Sequence, residues 1–305
     1  MPPLSNLLTS LLRSGRTAVA ETLGAAVAAM PVLEAPFIAA GMRAARWYYP
    51  GTVYWESHEA LVRRLRASGR RFRRVNILGH PLTLDITDGS VYLRYFHAQP
   101  YEPDLTAFIA DTVRPGSVFV DVGANVGFFT LLAARCASPG GRVLAFEPHP
   151  VARARMEHLL VLNGLTDLVT VSDAALSDRS APAAPLFLAS ESVLSTLDPA
   201  NAPLGELHPF NSSILVPVAS LDEWLAATAW KDTPIDVMKI DVEGAEERVL
   251  RGMTQTLARN PSMRIVVETS AGSAADRLLK AAGFTVHPLE SLHDNSGNYL
   301  YTKTP

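Results

Sequence analysis

The chain has 305 residues, 48% of them apolar and 19% charged, with 27 Lys and Arg against 30 Asp and Glu for a net charge of −3. That balance supplies a sizeable core, fits one large domain or one with an appendage, and carries no disorder signature. Near-neutrality speaks against a nucleic-acid partner, and the single cysteine, Cys136, excludes an intrachain disulfide and any zinc module.

From Leu4 to about Gly69 the signals are helical. Leu4, Leu7, Leu8, Leu11 and Leu12 fall on one helical face. A second helix is expected over Thr17–Met30, stopped by Pro31, and a third from Pro36 to Trp47. A fourth is expected to be capped by Ser57 and to reach Ala67. The apolar stretch Ala18–Ala40 is broken by Glu21, Pro31, Glu34 and Pro36, so it does not read as a membrane span. Met1-Pro2-Pro3-Leu4 lacks the basic start of a secretory leader. A cytoplasmic protein is expected, with attachment to a membrane surface left open.

From Arg73 to His97 the period changes to two. Leu82, Leu84 and Ile86 alternate with Thr83 and Asp85, and Asp88-Gly89 reads as a turn before a strand at Val91–Phe96. A helix is expected at Asp104–Val113. Beyond it, apolar strands at Val118–Val122, Arg142–Phe146, Leu168–Ser172, Ile235–Ile240 and Met263–Glu268 alternate with helices. The helices are placed near Phe128–Cys136, Val151–Asn163, Ala245–Leu257 and Ala274–Ala282. Strands this apolar, separated by helices, belong to a parallel sheet covered on both faces. Phe284–His287 and Asn298–Lys303 add a hairpin at the sheet edge. The chain thus divides into a helical appendage (1–72), an antiparallel β segment (73–100) and an α/β domain (101–305).

The most informative segment is Asp121-Val122-Gly123-Ala124-Asn125-Val126-Gly127, a strand end, a glycine turn and a helix start. A dinucleotide fold wants G-x-G-x-x-G here to seat a pyrophosphate on the helix N-terminus. This turn is G-x-N-x-G, and Asp121 precedes it. An anion at that place repels a pyrophosphate and suits a cationic ligand such as S-adenosylmethionine, a sulfonium with an ammonium and no phosphate. Glu147, before Pro148, lies about 20 residues on, where an acid accepts from a ribose diol in either class of cofactor. Asp173 and Ala174 follow the third strand, where Asp173 either accepts from an adenine amino group or caps a turn.

These pieces resemble the FkbM family of S-adenosylmethionine-dependent methyltransferases. The matching motifs are Asp121–Gly127, Phe146-Glu147-Pro148, Asn163-Gly164-Leu165, Ala174–Asp178, Pro217–Asp222 and Lys239-Ile240-Asp241-Val242-Glu243-Gly244-Ala245-Glu246. They run from about Tyr101 to Glu268; the first hundred residues match no family by this reading. The resemblance implies a Rossmann-like class I methyltransferase fold, with a mostly parallel seven-stranded sheet, helices on both faces and the helical appendage. It implies O-methylation of a hydroxyl on a sugar, glycolipid or polyketide-type product. It places the cofactor over Gly123–Gly127, with its ribose on Glu147, its adenine near Asp173 and Ala174, and Glu102 closing over its methionine end. A plain helix-start acid is the other reading of Glu102.

Lys239, Asp241 and Glu243 share one side of an extended strand at its C-terminal tip. A hydroxyl is a weak nucleophile until its proton is taken, so Asp241 or Glu243 is the candidate base and Lys239 its orienting partner. Glu268 ends the neighbouring strand and is expected on the acceptor side with His208, which lies in a long insertion that carries Ser190, Ser192 and Ser195 and overhangs the site. Asp241 with Glu268 gives oxygen ligands that suit a divalent metal, but two carboxylates are thin support and no metal is favoured. A nicotinamide-dependent dehydrogenase and a non-catalytic binding protein are the competing readings. The run Arg63, Arg64, Arg66, Arg70, Arg71, Arg73 and Arg74 reads as a solvated face or as a surface for lipid headgroups. The N-terminal helices, rich in Ala and Leu, are expected to make an interaction surface, a homo-oligomer ahead of a membrane contact.

Overall fold

The computed structural model describes residues 4–43, 53–88, 101–188, 195–200, 210–291 and 296–303. It divides into two compact units, Met1–Val75 with Thr83–Tyr101, and Asn76–Leu82 with Glu102–Pro305.

In the first unit one helix, α1 (Leu4–Ala29), replaces the two expected. Ser14-Gly15 lies between the two apolar runs, but without a proline a single glycine costs a helix only about 1 kcal/mol and does not end it. Pro31 does, opening a 3₁₀ turn (Pro31–Leu33). Helix α2 (Glu34–Arg43) accepts Pro36 in its first turn, where no amide hydrogen bond is lost; the expected continuation to Trp47 lies outside the described residues. Helix α3 (Val53–Ala67) begins a turn before Ser57, whose hydroxyl donates back to the Val53 carbonyl at 2.6 Å instead of capping. Helices α1 and α3 pack closely at Gly24, where a Cβ would stand 2.6 Å from that of Ala60.

Arg63, Arg66, Arg70 and Arg74 of the arginine run are exposed, as a solvated face requires, and six of its seven members are tied to other groups. Arg63 and Arg64 pair with Glu21, Arg71 with Asp85 at 3.3 Å, and Arg73 holds the buried Glu34 with two bonds of 2.9 and 2.7 Å. Arg66 donates to the Thr87 carbonyl at 2.8 Å and Arg70 to that of Ala28. Strands β1 (Phe72–Ile77) and β2 (His80–Asp85) form a two-stranded sheet. Their turn at Leu78-Gly79 escaped the sequence reading; both residues have positive φ, and Asn76 Oδ1 accepts from the Gly79 amide at 2.7 Å. The expected strand at Val91–Phe96 lies outside the described residues.

The second unit is built on a seven-stranded sheet. After helix α4 (Pro103–Thr112) come β3 (Val118–Val122), α5 (Phe128–Ala137), β4 (Arg142–Phe146), α6 (Pro150–Asn163) and β5 (Val169–Ser172). Later come β9 (Val237–Ile240), β10 (Arg264–Ser270), α10 (Ala274–Ala281), β11 (Thr285–Ser291) and β12 (Ser296–Thr302). The spatial order is β11-β12-β10-β9-β3-β4-β5, and β12 alone runs against the rest. Val118–Val122 is buried throughout, as a strand covered on both faces must be. The order reverses between β3 and β9, and an open α/β sheet binds its ligands at such a switch, beside the C-terminal strand ends.

The insertion between β5 and β9 carries a second sheet that the sequence reading missed. Strands β6 (Ala175–Leu176), β7 (Ala181–Leu188) and β8 (Ser212–Ala219) lie in the order β6-β8-β7 around Ala175, Leu186, Val216 and Val218. The prolines in β7 and β8 masked the strand pattern. Helix α7 (Leu221–Ala226) follows, capped by Ser220. The helix expected over Ala245–Leu257 is two, α8 (Glu246–Arg251) and α9 (Thr254–Arg259). At Gly252, between them, a Cβ would stand 2.0 Å from the Ser177 carbonyl oxygen.

Candidate active site

The glycine turn is set by close backbone approach on two sides. Gly123 (φ +81°) and Ala124 donate their amides to the Phe146 carbonyl at 3.1 and 3.0 Å, binding the turn to the end of β4. A Cβ on Gly123 would stand 1.8 Å from the Asp241 carbonyl oxygen, and one on Gly127 would stand 2.5 Å from Met156 on α6. Both glycines therefore allow close packing within the chain.

Asp121, read from the sequence as the anion presented to a ligand, lies beneath the turn and is 1% exposed. One carboxylate oxygen accepts from the Thr130 hydroxyl at 2.6 Å, and the other stands 3.9 Å from Lys239 Nζ. Burial pushes its carboxyl up, and Lys239 and Thr130 pull the other way. Lys239, also buried, donates to Asp241 Oδ2 at 2.9 Å and rests over the Phe129 ring. Burial alone would lower the Lys239 ammonium; the carboxylates of Asp241, Asp121 and Glu102 reverse this and lift it above the ordinary lysine range.

Glu147 braces the turn from β4. Its two oxygens accept the amides of Asn125 at 2.6 Å and His149 at 2.7 Å. Burial nevertheless raises it to about 7. Its oxygens retain lone pairs for a further donor. His149 caps α6 by accepting from the Val151 and Ala152 amides. Ala174 is buried at the cleft, whereas Asp173 beside it is exposed.

Beyond β9 the chain leaves the extended form, so simple alternation fails at Glu243, whose φ is +53°. Among the described residues only Leu78, Glu102, Asn125 and Glu243 are non-glycine residues with positive φ, and three of these four stand at this site. Such strain persists where the surroundings over-determine the backbone, commonly at working sites. Glu102 accepts from Asn298 Nδ2 on β12 at 2.9 Å, and Asn298 lies opposite Glu268 in the β10–β12 register. Burial, with Asp241 and Glu246 adding like charge, raises Glu243 to about 8. Asp241 above all, then burial, Glu102 and Glu243, raise Glu268 to about 10, with Lys239 opposing. Glu246 accepts from the Gly244 amide at 2.9 Å and serves its own helix start.

These groups border two adjoining hollows. The first is lined by Gly123, Asn125, Glu147, Ala174, Asp241 and Glu243, among others. The second, of about 860 Å³, shares Asp241 and Glu243 and adds Glu246, Glu247, Glu268 and the hydroxyls of Thr269, Ser270, Ser273 and Ser296. His208 lies outside the described residues. Among the described residues no group of three or more His, Cys, Asp or Glu is disposed to hold one metal ion. The insertion supplies cleft residues that the sequence did not single out for the cofactor side: Leu186, Ser195, Thr196 and Leu197.

Residues 121–286, over half of the chain, match the methyltransferase FkbM domain. The chain belongs to the FkbM methyltransferase family. It is 34% identical over 199 residues to the 31-O-demethyl-FK506 methyltransferase FkbM of Streptomyces tacrolimicus, covering 57% of this chain and 75% of that one. It is 30% identical over 196 residues to methyltransferase sdnD of Sordaria araneosa, covering 55% and 73%. Among solved structures, the precorrin-6y C5,15-methyltransferase of Geobacter metallireducens GS-15 aligns with a TM-score of 0.40 at 15% identity, over 68% of this chain and 90% of that one. As an FkbM methyltransferase, the chain has its matched region spanning the glycine turn, Glu147 and the β9 tip, the residues that border the first hollow.

Proposed function

We propose that this FkbM-family methyltransferase transfers a methyl group from S-adenosylmethionine to a hydroxyl oxygen of a sugar, glycolipid or polyketide-type acceptor. One observation carries the reading: the first cleft lies at the glycine turn and is lined by Glu147, Asp241 and Glu243, with no Lys, Arg or His among its described lining residues. A pyrophosphate would find no cation among those residues to hold it and would face Asp241, which counts against a nicotinamide-dependent dehydrogenase; a sulfonium and an ammonium would be welcomed. The fit is supported by Asn125, a cleft-lining residue whose side-chain carbonyl oxygen is buried with no hydrogen-bond partner among the described residues. The relative from S. tacrolimicus bears a name that describes methylation at an oxygen of a natural product, and this supports the acceptor class.

When bound, S-adenosylmethionine supplies an activated methyl group. Glu147 would take the ribose diol on its free lone pairs, Ala174 and Pro148 would flank the base, with Asp173 at the rim, and Glu102 would stand at the amino-acid end. Asp241 is the base: Lys239 fixes its carboxylate, so that it can receive the acceptor's hydroxyl proton. Glu243 and Glu268, both holding protons near neutral pH, hydrogen-bond to acceptor hydroxyls in the second hollow. A small-molecule or glycan acceptor suits the hydroxyl content of this hollow.

The test is calorimetry with S-adenosylhomocysteine and with NAD. Binding of the first and not the second is expected, and Glu147→Ala should weaken it by about 1–3 kcal/mol, the scale for charged hydrogen bonds. Binding of NAD alone would overturn the proposal. Methyl transfer to a hydroxylated acceptor, followed by mass spectrometry, then checks the O-methyl outcome.

A further inference from the structure

Ser195, Thr196 and Leu197 of the insertion line the first cleft, on a segment that motif comparison does not place in a cofactor site. Thr196 pairs with Phe187 on β7 through two backbone hydrogen bonds of 2.9 and 3.0 Å. Its hydroxyl donates to the Val242 carbonyl at 3.4 Å and accepts from the Asp198 amide at 3.0 Å. Asp198 is joined to Arg248 on α8 by an ion pair of 3.1 Å. The segment is therefore tied both to the insertion sheet and to the structure that follows the β9 tip. Ser195 lines the cleft beside it, and its hydroxyl oxygen is buried without a hydrogen-bond partner among the described residues.

A buried hydroxyl with no partner is a standing cost to the protein alone. Ser195 is followed by two further cleft-lining residues, Thr196 and Leu197, on a segment pinned at Thr196 and Asp198. A second unpartnered oxygen among the cleft-lining residues is that of Asn125, in the glycine turn. Both residues line the same hollow, and a polar ligand reached by a small turn of each side chain would satisfy both oxygens.

We propose that Ser195 is a ligand-binding residue of the cofactor cleft, hydrogen-bonding to S-adenosylmethionine from the insertion side, and that the Asp198–Arg248 ion pair positions it. The proposal rests on the cofactor reading above. It gives the insertion a role in holding the cofactor, not in shaping the acceptor alone.

The experiment measures S-adenosylhomocysteine affinity by calorimetry and the melting temperature of the ligand-free protein, for the wild type, Ser195→Ala, Ser195→Thr and Arg248→Gln. The wild type is measured first; its failure to bind overturns the cofactor reading itself and, with it, this proposal. Given wild-type binding, Ser195→Ala should weaken affinity about threefold to tenfold, the range for one neutral hydrogen bond. It should leave the ligand-free melting temperature unchanged or higher, because an unsatisfied buried group is removed. Ser195→Thr, which keeps the hydroxyl, should restore affinity. Arg248→Gln should weaken binding while leaving the melting temperature within about 2 °C, as the loss of a half-exposed ion pair predicts. Unchanged affinity in Ser195→Ala at a raised melting temperature would show a merely buried serine and overturn the proposal, as would Ser195→Thr behaving like alanine.

Discussion

Lys239 is the residue on which the site's electrostatics turn. It is buried among carboxylates, bonded to Asp241 and within 3.9 Å of Asp121. Its ammonium holds Asp241 in place and opposes the like charge and burial that push Glu243 and Glu268 up. Asp241→Asn is therefore expected to lower turnover about 10²–10⁴-fold, the range for a general base, while calorimetry shows S-adenosylhomocysteine affinity within about threefold. Full activity in Asp241→Asn with none in Glu243→Gln would move the base two residues on. Activity in both, abolished by a chelator, would assign activation of the hydroxyl to a metal. At Gly123 the expectation concerns stability. Alanine there meets the Asp241 carbonyl oxygen at a positive φ, so urea unfolding should show a loss of about 3 kcal/mol or more.

Strand and helix type were readable for the elements whose own residues settle the matter. Val118–Val122 and Arg142–Phe146 are apolar runs bounded by glycine, and their limits agree with the structure. The insertion was not readable, because Pro182, Pro185 and Pro217 interrupt strands that pairing across β7 and β8 nevertheless stabilises. The motif residues of the site were legible from their spacing: Glu147, Asp241 and Glu243 do border one cleft. What spacing could not supply was contact at a distance. Lys239 beneath the turn, Asn298 against Glu102 and Thr196 against Val242 join segments far apart in sequence. The arginine run illustrates the same limit, since Glu21, Glu34 and Asp85, which pair with it, lie on other elements. Arg73→Ala should cost the chain about 2 kcal/mol in urea unfolding, because Glu34 is left buried with its main cation gone. Lysine should recover only part, lacking the two-pronged geometry.

For the whole molecule, the raised carboxyls set the pH dependence of stability. Glu147 at about 7, Glu243 at about 8 and Glu268 at about 10 bind protons more tightly folded than unfolded. Between the ordinary carboxylate range and these values the native state holds more protons, so stability is fullest below about pH 4.5 for these groups and falls as pH rises through each folded value. The ligand-free melting temperature should accordingly decline from pH 5.5 to pH 9, with a shallower decline in Glu243→Gln and Glu268→Gln. A flat profile in the wild type, measured by differential scanning calorimetry, would remove the basis for assigning protons to these two residues.

The hydrogen bond between Glu102 and Asn298 spans 196 positions of the chain, and β12, which carries Asn298, is inserted between β10 and β11. During synthesis the glycine turn, Glu147 and Asp241 all leave the ribosome well before residue 296. The nascent chain must therefore wait with its sheet open between β10 and the incoming β11, and with Glu102 unanchored, until nearly all of the sequence is available. A ribosome stalled before residue 296 would present a chain with every motif residue in hand and no finished site. Contacts of such range slow folding, and arrest-peptide force profiling along the sequence should register the main folding event only once β12 has emerged.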